Sequence, residues 1–275
     1  MVSGMEDAPT QIDRALRAER MLWDYERDFM PPGLEIVERG ELLMWRRASG
    51  PASEQRWANR VAFVRTTASE LDRLIDEVFS FFGPLPFTWV VGPSSHPTDL
   101  ANRLRERGLT DVGDGDLLTA LLPISGLRTA ADLSIVEVEG EALARVGLRL
   151  ARPDAPASEL DALVEERLSY LRHPKRRGNF LVALVGEEPV GNAGYRYSSD
   201  GTTVYLYGAE TVERFRGRGI YQALIAYRVA AALARGCRFA AIWARRDTSL
   251  PILMKRGFVD HGHLPLFARH TPSTT

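Results

Sequence analysis

The chain has 275 residues, enough for one large domain or two small ones, and its 35 Lys and Arg balance 36 Asp and Glu to leave a net charge of −1 and a pI near 6.6. That balance carries no basic footprint for nucleic acid, and Cys237, the single cysteine, excludes an intrachain disulfide or a cysteine-built zinc site. No apolar window reaches membrane-spanning length, and the N-terminus (Glu6, Asp7, Asp13) lacks a signal-peptide pattern, so a cytoplasmic protein without a membrane partner is expected.

Ile12, Leu16, Met21, Leu22 and Phe29 are spaced as the apolar stripe of a helix over residues 9–29, with Asp13 and Arg17 paired one turn apart and Pro31-Pro32-Gly33 as its stop. Residues 34–37 and 42–46 read as short strands around Arg39-Gly40, and Val61–Val64 as a third. Thr67 or Ser69 is expected to cap a helix to Phe82 whose apolar face is Leu71, Leu74, Ile75, Val78, Phe79 and Phe82. Gly83-Pro84 ends it, 87–91 follows as a strand, and 98–107 as a helix closed by Gly108. Residues 123–131 look like a linker, which gives boundaries of 1–124 for a first domain, 125–132 for the linker and 133–275 for a second domain.

The second domain opens with a strand at 133–138 and a mostly helical stretch at 142–172, with Ser158 as a cap. His173 to Gly178 is a polar break whose charge run fits a solvated loop. Residues 179–185 and 190–197 form a hairpin across Gly186-Glu187-Glu188-Pro189, followed by a buried strand at 203–213 that carries Val204, Tyr205, Leu206 and Tyr207. A helix at 221–235, a strand at 239–243 and a helix at 250–256, closed by Gly257-Phe258, come next. His261 and His263, with Asp260, read as solvated loop residues rather than metal ligands. Residues 265–269 offer a last strand, and 271–275 are expected to fray.

The run Leu104-Arg105-Glu106-Arg107-Gly108-Leu109 parallels Leu253-Met254-Lys255-Arg256-Gly257-Phe258, and both close a strand-helix-strand-helix series. The chain therefore reads as two copies of one unit. The copies differ where their first strand hands over to its helix. The first has Arg65-Thr66-Thr67-Ala68-Ser69, without glycine; the second has Arg216-Gly217-Arg218-Gly219-Ile220-Tyr221.

Glycine at such a turn permits positive φ and close approach to the main chain. The first amides of the following helix lack partners and lie at the positive end of its dipole, which is the physics of an anion site; Arg214, Arg216 and Arg218 add charge beside them. A Walker A loop would need Gly-Lys followed by Ser or Thr, and a dinucleotide fingerprint a third glycine; neither is present.

The pattern resembles the pyrophosphate-binding motif of the GNAT acetyltransferases, Gln/Arg-x-x-Gly-x-Gly/Ala. Arg216, Gly219 and Tyr221 fall on its three positions, and a second register, Arg214, Gly217 and Gly219, satisfies it literally. Thr211, Glu213 and Tyr221 depart from the usual Val, Pro and Gly. The order of elements over residues 133–269 is similar to the GNAT fold, and 34–122 follow it in outline. The resemblance implies an α/β (α+β) fold of two tandem GNAT-like domains, each a mixed, mostly antiparallel sheet flanked by helices, with the first degenerate.

It also implies acetyl-CoA as co-substrate, with no metal. Ala209, Glu210 and Thr211 would offer main-chain groups to the pantetheine and one N–H to the thioester oxygen. Gly217, Arg218, Gly219, Ile220, Tyr221 and Gln222 would hold the pyrophosphate. Glu210 is the first candidate base, with pairing to Arg214 or Arg216 as the other reading of its carboxylate; Tyr207 is the second. Leu253 stands where many members carry a proton-donating Tyr, and Arg246-Asp247 replaces a cofactor-contacting Asn. The implied activity is acetyl transfer to a primary amine of a small molecule or peptide. The alternatives are a non-catalytic acyl-CoA sensor and a tandem acetyltransferase resembling mycothiol synthase. Nothing in the sequence indicates an oligomeric state.

Overall fold

The computed structural model describes residues 10–24, 29, 33–49, 53, 56–128 and 132–269. The expected helix start at Pro9, the stop at Pro31-Pro32, linker residues 129–131 and the frayed 271–275 lie outside them.

Helix α1 (Gln11–Arg20) begins at a capping box: Thr10 Oγ1 accepts from the Asp13 amide, and the Asp13 carboxylate accepts from the Thr10 amide. Asp13 is thus spent on the cap rather than on the expected ion pair, and Arg17 donates instead to Thr202 Oγ1 at 2.5 Å. The helix ends at Arg20, and its buried side is Ala15, Ala18 and Glu19, with Ile12 left 71% exposed and Leu16 38%. The expected stripe holds at its far end, where Met21, Leu22 and Phe29 are buried, and fails within the helix, where Ala18 joins the core in place of Ile12 and Leu16.

The first unit continues with β1 (Leu34–Arg39), β2 (Leu42–Arg47), β3 (Arg60–Val64), α2 (Leu71–Phe82), β4 (Thr88–Val90), α3 (Leu100–Glu106) and β5 (Leu109–Asp111). Leu71, Leu74, Ile75, Val78 and Phe82 of α2 are buried as their spacing requires, with Phe79 partly so. Neither expected residue caps α2. Thr67 and Ser69 bond each other at 3.0 Å, and Glu70 holds the cap position without a side-chain bond.

Next come β6 (Gly115–Leu121), β7 (Leu133–Glu137), α4 (Glu141–Ala151) and α5 (Ala157–Arg172). Pro153 and Pro156 divide the helical stretch in two, and Pro156, not Ser158, is the cap position of α5. The chain then forms β8 (Gly178–Val185), β9 (Glu188–Tyr197), β10 (Thr203–Thr211), α6 (Ile220–Ala234), β11 (Phe239–Arg245), α7 (Ser249–Met254), β12 (Val259–His263) and β13 (Leu266–Arg269).

The strands make two mixed, mostly antiparallel sheets flanked by helices, ordered β1-β2-β3-β4-β13-β5 and β12-β6-β11-β10-β9-β8-β7. Sheet membership crosses the boundary placed at 125–132. β6, from the first half, lies between β11 and β12, and β13, from the far end of the chain, lies between β4 and β5. The exchange has a simple cause. Residues 109–121 and 259–269 pair antiparallel from sheet to sheet: Phe267 faces Asp111 and Val259 faces Thr119, with a register shift between Asp260 and His263 and Val112 N–H to Leu266 O (2.7 Å) closing the crossing. His261 and His263 are therefore strand residues, not loop residues. Nε2 of His261 lies 2.8 Å from Thr119 Oγ1, and Nε2 of His263 lies 2.8 Å from Asp111 Oδ2.

Alternation along the strands sorts the core into layers. Leu42 and Met44 face α2 and α3, while Leu43 and Trp45 face the second sheet across Ala18, Phe63, Tyr205 and Ala241. Val204, Leu206, Ala240 and Ile242 face α6. Helices α4 and α5 cover the other face of the second sheet at its β7 end, around Val182. One end of α1 is tied to the second sheet through Asp24, which accepts from Arg177 (2.8 Å) and from the Ser199 amide (2.7 Å).

Candidate active site

Strand β10 leaves its sheet through a 3-10 turn at Glu213–Phe215, and Phe215, 8% exposed, anchors that turn in the core. Gly217 (φ 79°) and Gly219 (φ 84°) follow in left-handed conformations, the second as the N-cap of α6. A Cβ on Gly217 would meet nothing within 4 Å, and one on Gly219 only Arg128 Cβ at 4.0 Å. The glycines are thus required by backbone angle, and the space above them is open. No side chain caps α6, so the first-turn amides of Ile220, Tyr221 and Gln222 have no acceptor on their own helix. An anion at this end would satisfy them.

The arginines contribute less than their number suggests. Arg214 pairs with Glu188, Arg218 with Asp132 at 2.7 Å, and Arg216 lies 3.8 Å from Glu213, all at exposed positions where such pairs are weak. Burial raises Tyr221 above its ordinary pKa, and its side chain packs against the core cluster of α6 and α7, which leaves its amide to the turn.

Beside the turn, β10 parts from its neighbour. Its parallel pairing with β11 runs from Thr203↔Phe239 to Leu206↔Ile242 and stops there. Pairing with β9 continues to Thr211↔Gly191, with a bulge between Tyr207 and Glu210 around Gly208 (φ 58°). Main-chain groups from Tyr207 to Thr211 thereby border an opening on the β11 side. The bulge also sets the face. Tyr207 lies opposite Gly194 and Glu210 opposite Asn192, two residues apart on one strand, so both catalytic candidates share a face.

Tyr207 stacks on Tyr205 (5.9 Å, 16°), meets Phe180 edge-on at 6.2 Å and lies 5.0 Å beneath the Arg196 guanidinium. The Glu210 side chain is exposed, yet desolvation by nearby protein raises its carboxyl above the usual glutamate range, and Arg152 opposes that shift. Among the described residues Glu210 has no ion pair; Arg214 and Arg216 are engaged by Glu188 and Glu213 instead. Asn192, opposite Glu210, is 6% exposed, and among the described residues its Oδ1 has no hydrogen-bond partner.

A cavity of about 260 Å³ opens on the Tyr207 face, under α4 and α5. Tyr207, Phe180, Tyr170, Arg152 and Arg167 line it, joined by Phe29 and Trp57 from the first half of the chain. Arg152 borders the cavity and is also the cation that opposes the shift of Glu210. Leu253 is fully buried in the α6 core cluster, and Arg246 is held by Asp116 at 2.6 Å. Among the described residues no three His, Cys, Asp or Glu side chains converge as a metal site, and no helix is long and apolar enough to cross a membrane.

Residues 145–258 match the family described as "Acetyltransferase (GNAT) family". A structure of a GCN5-related N-acetyltransferase from Kribbella flavida superposes with a TM-score of 0.68 at 16% identity, covering 94% of this chain and 97% of that one. The chain has the GNAT acetyltransferase fold. A tandem GNAT protein from the clavulanic acid biosynthesis pathway matches at a TM-score of 0.64 and 14% identity, over 98% of this chain and 92% of that one. A GCN5-related N-acetyltransferase from Sphaerobacter thermophilus matches at 0.61 and 15%, over 95% and 94%. The two helix-flanked sheets are consistent with tandem GNAT-like units, and each superposition covers most of both. A search of curated proteins finds no match.

Proposed function

We propose that the chain is an N-acetyltransferase that moves the acetyl group of acetyl-CoA to a primary amine. The observation that carries this reading is the parting of β10 from β11 after Leu206, directly before the uncapped, double-glycine start of α6. Bound acetyl-CoA supplies an activated acyl group. The amides of Gly217 to Gln222 hold the pyrophosphate, with Arg216 and Arg218 as surrounding charge. Main-chain groups of Ala209, Glu210 and Thr211 align the pantetheine, and one N–H among them donates to the acyl oxygen as the amine attacks. A preplaced donor of this kind typically contributes ~10²–10³ in rate.

Glu210 takes the amine proton, directly or through water, as the thioester C–S bond breaks and CoA leaves as a thiolate that water protonates. Its raised carboxyl suits a base working near neutral pH better than an ordinary glutamate would, and it shares a face with the cavity that receives the amine. Tyr207 orients the acceptor. The first unit has no glycine in its turn and contributes walls rather than a second cofactor site.

A sensor that binds acyl-CoA without turnover is the second reading, favoured by Leu253, whose burial leaves no proton donor at that position. Titration with acetyl-CoA followed by thiol-release assays against a panel of amines separates the two. Binding with amine-dependent release supports the transferase; binding with no release across the panel supports the sensor.

A further inference from the structure

The cavity under α4 and α5 holds a charge that its walls do not neutralise. Glu166, which lines it, is held by Arg47 at 2.5 Å, and Arg152 donates to Glu159 at 3.2 Å. Arg196 donates to the Met21 carbonyl at 2.8 Å and lies over the rings of Tyr205 and Tyr207. Arg167 differs from both. Its guanidinium lies 4.0 Å over the Phe180 ring, and among the described residues no oxygen accepts a hydrogen bond from it.

Burial pulls Arg167 down to about 10, with Tyr207 and Glu166 opposing, so it remains a cation at neutral pH. A half-buried guanidinium that faces a cavity without a protein acceptor is a receptor for an anion, which replaces its water with charge-assisted hydrogen bonds. A single uncommitted fork selects for a monoanion. Planar carboxylate matches guanidinium with two parallel bonds, whereas a phosphate dianion would call for a second uncommitted cation. The remaining lining, including Trp57, Leu163, Tyr170 and Phe180, suits an apolar or aromatic body. At about 260 Å³ the space lies below the ~300–1,000 Å³ of drug-sized sites, which favours a small molecule over a peptide.

We propose that Arg167 reads a carboxylate on the acceptor, and that the acceptor is a small apolar or aromatic amine carrying that carboxylate, an amino acid in the broad sense. This rests on the acetyl-transfer reading for the amine, which would point at Glu210 while the carboxylate sits on Arg167.

The test is titration calorimetry of the full chain, with and without CoA, using 3-phenylpropionate and its uncharged analogue 3-phenylpropionamide. The carboxylate is expected to bind about tenfold to a hundredfold more tightly, the worth of a charge-assisted hydrogen bond. Arg167→Gln should erase that preference while leaving CoA affinity unchanged. Equal affinity of the two probes, failure of the carboxylate to bind, or a preference retained in R167Q would overturn the assignment. The wild-type preference is read without any variant, so misfolding of R167Q does not blunt the test. Absence of CoA binding in the same titrations would count against acetyl transfer, not against the carboxylate site. With L-phenylalanine as acceptor, R167Q should raise KM while kcat and its pH profile hold.

Discussion

The two strand-helix turns of this chain occupy equivalent places and are built for different ends. β3-α2-β4-α3 and β10-α6-β11-α7 share order, a parallel first pair and a closing glycine at φ 81°, Gly108 in one and Gly257 in the other. At the second turn the N-cap is Gly219, left-handed and open above its Cα. At the first it is Glu70, at φ −94°, whose carboxylate lies at the helix end and bonds Arg73 at 2.9 Å. A carboxylate there occupies the positive end of the dipole and repels a phosphate. The framework is common property of both units, and the proposed cofactor site rests on a few turn residues.

The strongest way to break the contrast is Gly219→Val. A β-branched residue resists φ 84°, at a cost of about 1–2 kcal/mol in left-handed strain, and displaces the amides that follow. Loss of measurable acetyl-CoA binding with only a modest fall in Tm is expected; undiminished affinity in titration would remove the turn from the site.

Glu210→Gln addresses the chemistry beside that turn. A rate loss of ~10²–10⁴ is expected with CoA affinity spared. The sign of the pH effect follows from the raised carboxyl: the wild-type rate falls as pH drops through a pKa above the ordinary 4.5, because the base becomes protonated. The variant should lose that acidic limb, and an unchanged pH–rate curve would exclude Glu210 as the base.

Asp24→Asn tests the joint between the units. Burial raises the Asp24 carboxyl, but its bonds to Arg177 and to the Ser199 amide outweigh that and hold it below its ordinary 3.8. Its stabilisation is therefore present above pH 3.8 and lost as pH falls through the lower folded value. Breaking a buried pair of this kind costs about 3–5 kcal/mol, so the variant should have a lower Tm at neutral pH, with the gap to wild type closing in acid. A constant gap across pH would contradict the ionic account. The smallest effect is expected from Glu70→Gln, which should leave acetyl-CoA affinity and stoichiometry as they are; a new binding event would show that the first turn needs only one change to become a site.

Much of this was legible locally. The apolar periodicity of α2, the hairpin of β8 and β9 and the strand-turn-helix around Gly219 depend on neighbours in sequence, and they appear where the pattern puts them. What was not legible depends on partners far away. The exchange of β6 and β13 is a pairing between residues about 150 apart, and nothing in either strand names its neighbour. Whether Glu210 faces Tyr207 is decided by a bulge at Gly208, since strict alternation would have put Ala209 there. Within α1 Ile12 and Leu16 face water because Ala15, Ala18 and Glu19 supply the buried side, whereas Met21, Leu22 and Phe29 of the same expected stripe are buried. Arg167 looks, in sequence, like any charge on an amphipathic helix. Asn192 carries no signal beyond being a polar residue in an apolar strand.

The most direct test of the central contrast is the stoichiometry of acetyl-CoA binding to the intact chain by titration calorimetry. One equivalent per chain is predicted, bound at the Gly217–Gly219 turn. No binding would mean that the turn holds no pyrophosphate, and two equivalents would mean that the two units are not chemically distinct.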